Sequence, residues 1–273
     1  MPAENAGSPG ALENPLKRML AAGKYVIGTT VTVASVETAA QAAALGFDFL
    51  WIEMEHSPIT LETLRNIILA TRGLKAVPIT RVPVNELWTA KRVLDVGSLG
   101  VIFPFCSTPE LARQAVAACK YPPYGRRGSG PSLASFRWPA PEGYHTFADN
   151  NVMVVVIVEE ERAVEQVEAI AATPGLDVIF VGTSDLSFSM GYRGQTDHPR
   201  VQDALKRVAA AGKANNKYVG LPVKDSDQIK KYVDWGFQWF QTATELGLMA
   251  RGAQQLLEPL GRAAEPPQKG FLY

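Results

Sequence analysis

Between residues 25 and 260 the chain alternates, eight times over, between a short run of β-branched and aromatic residues and a longer amphipathic stretch. Few architectures accommodate that alternation. The candidate strands are residues 25–30 (YVIGTT), 48–53 (DFLWIE), 77–81 (VPITR), 100–104 (GVIFP), 152–158 (VMVVVIV), 177–182 (DVIFVG), 218–222 (YVGLP) and 237–242 (FQWFQT). Several are continuously apolar, as parallel strands covered on both faces must be. Helical patterns intervene at 35–45, 60–72, 86–95, 108–119, 161–172, 199–214 and 245–260. Gly46, Gly73, Gly97 and Gly236 stand where a helix ends before the next strand, a position that favours a left-handed residue. Eight β-then-α units with right-handed crossovers close most economically into an α/β fold of the (β/α)8 TIM-barrel type, here with an extra C-terminal helix. An open doubly wound sheet is the competitor, but no GxGxxG or GxxxxGK[ST] follows the first strand.

At 273 residues, with 47% hydrophobic and 20% charged side chains, the chain suits one large core, and α/β barrels reach this size as a single domain. The expected division is a flexible tail at 1–15, one barrel at 16–262, an active-site or oligomer loop at 120–151 within it, and a second tail at 263–273. The loop is long and rich in Pro, Gly and Ser, a composition that in compact enzymes covers a site or meets a neighbouring subunit. The formal net charge is zero, which provides no basic field for nucleic acid or an anionic membrane. No apolar run reaches the roughly 18 residues of a membrane span, and the first 15 residues have no secretory pattern. The two cysteines, Cys106 and Cys119, lack metal-ligand spacing and read as reduced, half-buried residues of a cytoplasmic protein.

In a barrel of this kind, residues that end the strands gather at one face, where active sites are built. The second strand runs into Glu53-Met54-Glu55-His56, the third ends at Arg81, the fifth is followed by Glu159 and the sixth by Gly182-Thr183-Ser184-Asp185. Neighbouring strands lie about 4.8 Å apart, so Glu159 and Asp185 repel unless one is protonated or a cation lies between them. With no cysteine or paired histidine to join them, the pair suits Mg²⁺ or Mn²⁺ better than zinc. Arg81 would bind a substrate carboxylate or an enolate oxygen. His56 is a candidate general base if an acid orients its ring, and Asp95 is one such acid. The plainer alternatives are helix caps for Glu159 and Asp185, a structural ion pair for Arg81, a loop residue for His56 and an ordinary helix terminus for Asp95.

The segments GFDFLWIEMEHSP, ITRVP, LDVGSLGVIFP, KYPPYGRRGSG, the Glu159 strand end and DVIFVGTSDLSFSMGY with its trailing His-Pro resemble the HpcH/HpaI family of class II 2-keto-acid aldolases. The type activity there is that of a 4-hydroxy-2-oxoheptanedioate aldolase, and the resemblance covers roughly residues 20–255. It implies a phosphoenolpyruvate/pyruvate-type barrel that assembles as a homo-oligomer, a trimer or hexamer. Pyruvate, held on Mg²⁺, Mn²⁺ or Co²⁺ with no organic cofactor, is enolised there and joined reversibly to an aldehyde. By resemblance, Glu159 and Asp185 are the metal ligands, Arg81 holds the keto oxygen, and His56 works with an Asp95 that can come from the adjacent subunit. Gly182, Thr183, Ser184 and Asp185 bind the substrate carboxylate, and Glu55 supports the site from behind. Arg127 of the long loop would approach a neighbour's site. This chain departs from the family at Ile157, where a glutamine is usual, at Thr183, where proline is common, and in its acidic Glu-Met-Glu-His segment. Rival readings are an oxaloacetate-type decarboxylase, a CoA-thioester lyase and a barrel subunit without catalysis.

Overall fold

A computed structural model describes residues 13–262. Eight parallel strands close into a barrel in sequence order: β1 (Val26–Val31), β2 (Phe49–Glu53), β3 (Val77–Arg81), β4 (Gly100–Phe103), β5 (Met153–Val158), β6 (Val178–Val181), β7 (Tyr218–Pro222) and β8 (Trp239–Thr244). Every expected strand is present within two residues of its expected bounds. The helices are α1 (Pro15–Ala21), α2 (Val36–Ala44), α3 (Leu61–Ala70), α4 (Leu87–Asp95), α5 (Pro109–Cys119), α6 (Ser132–Arg137) and α7 (Tyr144–Asn151). They continue with α8 (Glu161–Glu165), α9 (Val167–Ala171), α10 (Thr183–Ser189), α11 (Pro199–Ala214), α12 (Ser226–Asp234) and α13 (Glu245–Leu257). Gly46, Gly73, Gly97 and Gly236 all have positive φ, between 82° and 109°, which lets each helix turn directly into the following strand.

Large rings and bare glycines fill the lumen together. Phe49 lies against Trp239 with centroids 4.3 Å apart, and Trp51 against Phe180 at 4.8 Å. A β-carbon on Gly28 would come within 2.2 Å of the Phe49 ring, so the first strand must carry glycine there for the ring to enter. Trp51 lies one lumenal position below Glu53 on β2, and its indole donates to the Glu53 carboxylate above it.

Four expectations change. Asn14 and Pro15 are not tail residues: Asn14 is buried, caps α1 through the Leu16 amide and exchanges hydrogen bonds with Asn151. Glu13 is exposed, and residues 1–12 and 263–273 of the expected tails lie outside the described residues. The helix expected at 161–172 is broken at Gln166, whose backbone (φ −109°, ψ 10°) leaves the helical region. The segment 120–151 contains α6 and α7 and joins the end of α5 to the start of β5. Both points lie at the amino-terminal end of the barrel, so the segment packs beneath its own barrel and not over its mouth. It is fastened there by Arg137 to the Ile68 and Thr71 carbonyls and by the Trp138 indole to the Gly97 carbonyl. Both cysteines are free and fully buried, and burial raises each thiol to about 12.

Candidate active site

Glu53 and Arg81 occupy paired register positions on β2 and β3, the last residue of each strand. Because side chains alternate along a strand, Glu53 shares the lumenal face of Phe49 and Trp51. Its carboxylate is almost entirely enclosed. Oε2 accepts from Arg81 Nε at 2.6 Å and from the Trp51 indole at 3.1 Å, while Oε1 accepts from the amides of Glu55 and His56. Sequence reasoning passed over Glu53 in favour of Glu55, although the period-two pattern Phe49-Trp51-Glu53 already assigns it to the lumen.

The arginine reaches a second acid. Arg81 Nη1 stands 3.0 Å from Glu55 Oε2, and the His56 Nε2 lies 3.7 Å from that same oxygen. Burial raises the Glu55 carboxyl above the usual carboxylate range, although Arg81 and His56 pull it down. His56 itself is about half exposed at the mouth.

Glu159 directly follows β5, and its side chain is buried. Oε1 accepts from the Phe105 amide at 2.7 Å, and Phe105 holds a left-handed φ of 50° in offering it. Burial pushes the Glu159 carboxyl up to about 7 against the pull of that amide, and the Glu55 and Asp185 carboxylates push in the same direction. Asp185 is not at a strand end. It is an exposed residue of the first turn of α10, which starts just after Gly182. No side chain caps the first-turn amides of Thr183, Ser184 and Asp185. Gly182 has no room for a side chain, since a β-carbon would lie 2.9 Å from Glu159 Cβ and Oε2. Ile157 is buried just below, with its Cγ2 3.2 Å from the same point.

Glu53, Glu55, Arg81, His56, Glu159 and Asp185 therefore belong to one mouth. Asp95 does not. It ends α4, which runs back toward the amino-terminal end of the barrel, and there its Oδ1 accepts from Arg127 Nη2 at 2.9 Å. The expected pairing of His56 with Asp95 is not made within one chain, because strand ends and helix ends lie at opposite faces of a β/α unit. Arg127, expected beside a substrate, is instead buried between the rings of Tyr121 and Tyr144.

The family model for HpcH/HpaI aldolase/citrate lyase matches residues 27–252. A 5-keto-4-deoxy-D-glucarate aldolase from Salmonella arizonae is 36% identical over 245 residues, which is 90% of this chain and 96% of that protein. Among solved structures, an HpcH/HpaI aldolase/citrate lyase family protein from Burkholderia cenocepacia superposes with a TM-score of 0.81 at 34% identity, over 87% of this chain and 95% of that one. The HpcH/HpaI aldolase from Desulfitobacterium hafniense gives 0.84 at 25% identity, over 92% and 99%. These likenesses run the length of the barrel and take in every strand that carries a residue of the mouth. The chain belongs to the HpcH/HpaI aldolase/citrate lyase family and is an aldolase-class lyase.

Proposed function

We propose that this enzyme reversibly cleaves a 4-hydroxy-2-keto acid to pyruvate, or a close relative of pyruvate, and an aldehyde, with a divalent cation held by Glu159 and Asp185. The observation that carries this reading is the charge at the mouth. Among the described residues, the one guanidinium at the mouth is that of Arg81, which pairs with Glu53 and Glu55, while the Glu159 and Asp185 carboxylates bear on the same group of acids. One cation does not neutralise four acids, and a buried carboxyl raised to about 7 is a ligand that releases its proton when a metal arrives. Among the described residues no three His, Cys, Asp or Glu side chains converge as a metal cage. A two-carboxylate site of this kind leaves most positions to water and substrate, which suits Mg²⁺ or Mn²⁺.

When bound, such a cation supplies Lewis acidity toward the keto group. The protein's own groups do the rest. The uncapped amides of Thr183, Ser184 and Asp185 receive the substrate carboxylate at the head of α10. Arg81, fixed by Glu53 on one side and Glu55 on the other, presents positive charge where the enolate oxygen develops. His56 is exposed enough to exchange a proton with substrate, and an Asp95 contributed by another copy of the chain would orient its ring. Buried Ile157 removes a polar contact that relatives of this family use, which gives the keto-acid end a more apolar floor.

Incubating the enzyme with pyruvate in D₂O tests the reading. Exchange of the methyl protons with Mg²⁺ or Mn²⁺, suppressed by EDTA and lost in Asp185→Asn and Glu159→Gln, is the expected result. No exchange under any metal condition overturns it.

A further inference from the structure

Beside Arg81 and His56, over the seam where β1 meets β8, lies a cavity of about 290 Å³ walled by Thr30, Thr32, Gln241 and Thr244. The seam is irregular. Gly28 pairs with Gln241 but Thr30 pairs with Thr244, so β8 carries one residue more than β1 over this interval. Such bulges re-aim side chains at barrel rims. Here the backbone is repaired by side chains: Thr242 Oγ1 donates to the Gly28 carbonyl at 3.0 Å and Thr29 Oγ1 to the Ala243 carbonyl at 2.7 Å. Gln241 and Thr244 are thereby left on the cavity wall.

Apart from Glu53, His56 and Arg81 on one side, the groups lining the cavity are uncharged. Gln241 Nε2 donates to Thr30 Oγ1 at 2.5 Å, which leaves the Gln241 carbonyl as an acceptor and the Thr30 hydroxyl as a donor. Thr244 Oγ1 accepts from the Gly247 amide at 3.1 Å and keeps its own proton to give. Thr32 is turned the other way, with its amide and hydroxyl both on Glu245 Oε1. The one arginine on this wall is Arg81, already facing Glu53 and Glu55. Among the described residues no unpaired lysine or arginine lines the cavity to receive a carboxylate or phosphate tail, and Glu53 stands on its wall. A purely apolar tail would cover the Gln241 and Thr30 groups without giving them partners, which costs binding energy. A carbon chain bearing hydroxyls satisfies both requirements.

We infer that this cavity is the acceptor pocket of the aldol site, and that Gln241, Thr30 and Thr244 select an uncharged aldehyde hydroxylated beyond its carbonyl carbon. The inference rests on the aldolase reading above. In the bond-forming direction the pyruvate methyl carbon loses a proton and attacks the aldehyde carbon. The aldehyde oxygen takes up a proton, nothing is oxidised or reduced, and the new hydroxyl stands next to the pocket.

The test is aldol addition of pyruvate to glyceraldehyde, propionaldehyde and succinic semialdehyde, each read as kcat/KM. Glyceraldehyde is expected to lead both others by about tenfold or more, the scale on which a site built for a hydroxyl rejects analogues that leave its polar groups unpaired. In Gln241→Leu the glyceraldehyde-to-propionaldehyde ratio is expected to fall about tenfold. Thr30→Val, nearly isosteric, gives the same reading if Gln241→Leu does not fold. Preference for succinic semialdehyde or propionaldehyde, or an unchanged ratio in a folded variant, overturns the inference. Wild-type proton exchange of pyruvate in D₂O separates the two levels. Exchange with the wrong aldehyde preference sinks the pocket assignment alone, whereas absent exchange sinks the aldolase reading on which it stands.

Discussion

Glu53 and Arg81 close adjacent strands in paired register, and their side chains meet at 2.6 Å with Glu53 only 2% exposed. On the proposed reading Arg81 has two roles, one toward substrate and one toward Glu53, which has no other cationic partner among the described residues. Arg81→Met is expected to abolish cleavage and also to cost about 3 kcal/mol of stability, because it leaves a buried charge unpaired. Arg81→Met combined with Glu53→Gln should recover most of the stability and none of the activity. Urea unfolding alongside kcat measurements checks both halves, and a double variant no more stable than the single one would show that the ion pair does not set the loss.

As the proposed metal ligand, Glu159 would tie pH to metal. Its folded carboxyl stands at about 7 against an ordinary 4.5, so the metal-free fold prefers it protonated. Below pH 4.5 it is protonated in folded and unfolded chains alike and makes no difference. As pH rises toward 7 the unfolded chain ionises first, and the contribution becomes a penalty that is complete above 7. A bound cation removes that penalty and competes with the proton for the same oxygens. Melting temperatures of EDTA-treated enzyme should rise more on adding Mn²⁺ at pH 8 than at pH 5.5. An equal rise at both values would contradict Glu159 as a ligand.

Two glycines separate steric from conformational demands. Gly182 has an ordinary φ of −75°, but a β-carbon there would press on Glu159. Gly46 has open space around it and a φ of 109°. Gly182→Ala should lower kcat by tenfold or more by moving the carboxylate about an ångström, on the scale that misplacement costs an active site. Gly46→Ala should cost about 1 kcal/mol of stability and leave kcat alone. Circular-dichroism melts and steady-state rates on both variants make the comparison.

The barrel was legible because parallel strands buried on both faces write themselves as apolar runs, and because positive-φ glycines mark where each helix turns back. Arg81 and Glu159 were legible because they end or directly follow such runs, and His56 because it stands three residues beyond one. What escaped the sequence lies in three dimensions only. Glu53 and Glu55 stand two apart, so alternation alone would put both on one face; they differ because β2 ends at Glu53, whose carboxylate then accepts from the amides of Glu55 and His56. The left-handed Phe105, whose amide fixes Glu159, has no local signal such as glycine or asparagine. The bulge that turns Gln241 and Thr244 toward the mouth is a property of two strands together, and neither strand's own pattern reveals it. The long segment 120–151 has the composition of a lid, yet its place is set by the helix that it follows.

Cys106 and Cys119 give a direct probe of core integrity. Each is buried and its thiol is pushed up to about 12 by burial, so almost no thiolate exists near neutrality. Native enzyme should show no thiol reactive toward a disulfide reagent at pH 8, and both should react in guanidinium. Rapid labelling of either in the native state would mean that the β4 loop or the end of α5 opens readily.

Asp95 is the residue whose role depends most on a second copy of the chain. In its own subunit it lies at the face opposite His56, held by a buried Arg127 whose Nε and Nη1 have no hydrogen-bond partner among the described residues. A guanidinium enclosed at that cost is well suited to fixing a carboxylate that must be presented outward, and Asp95 remains partly exposed, at 22%. If it serves the His56 of another copy, His56→Ala and Asp95→Asn are each inactive as pure oligomers. Each mixed oligomer would hold one site with both residues intact. Unfolding the two variants together and refolding them should then restore part of the wild-type rate, whereas each refolded alone should stay inactive. Asparagine is the substitution of choice because it keeps an oxygen for Arg127 and so spares the fold. A refolded mixture no more active than its components, with both variants folded and assembled, would confine Asp95 to a structural role.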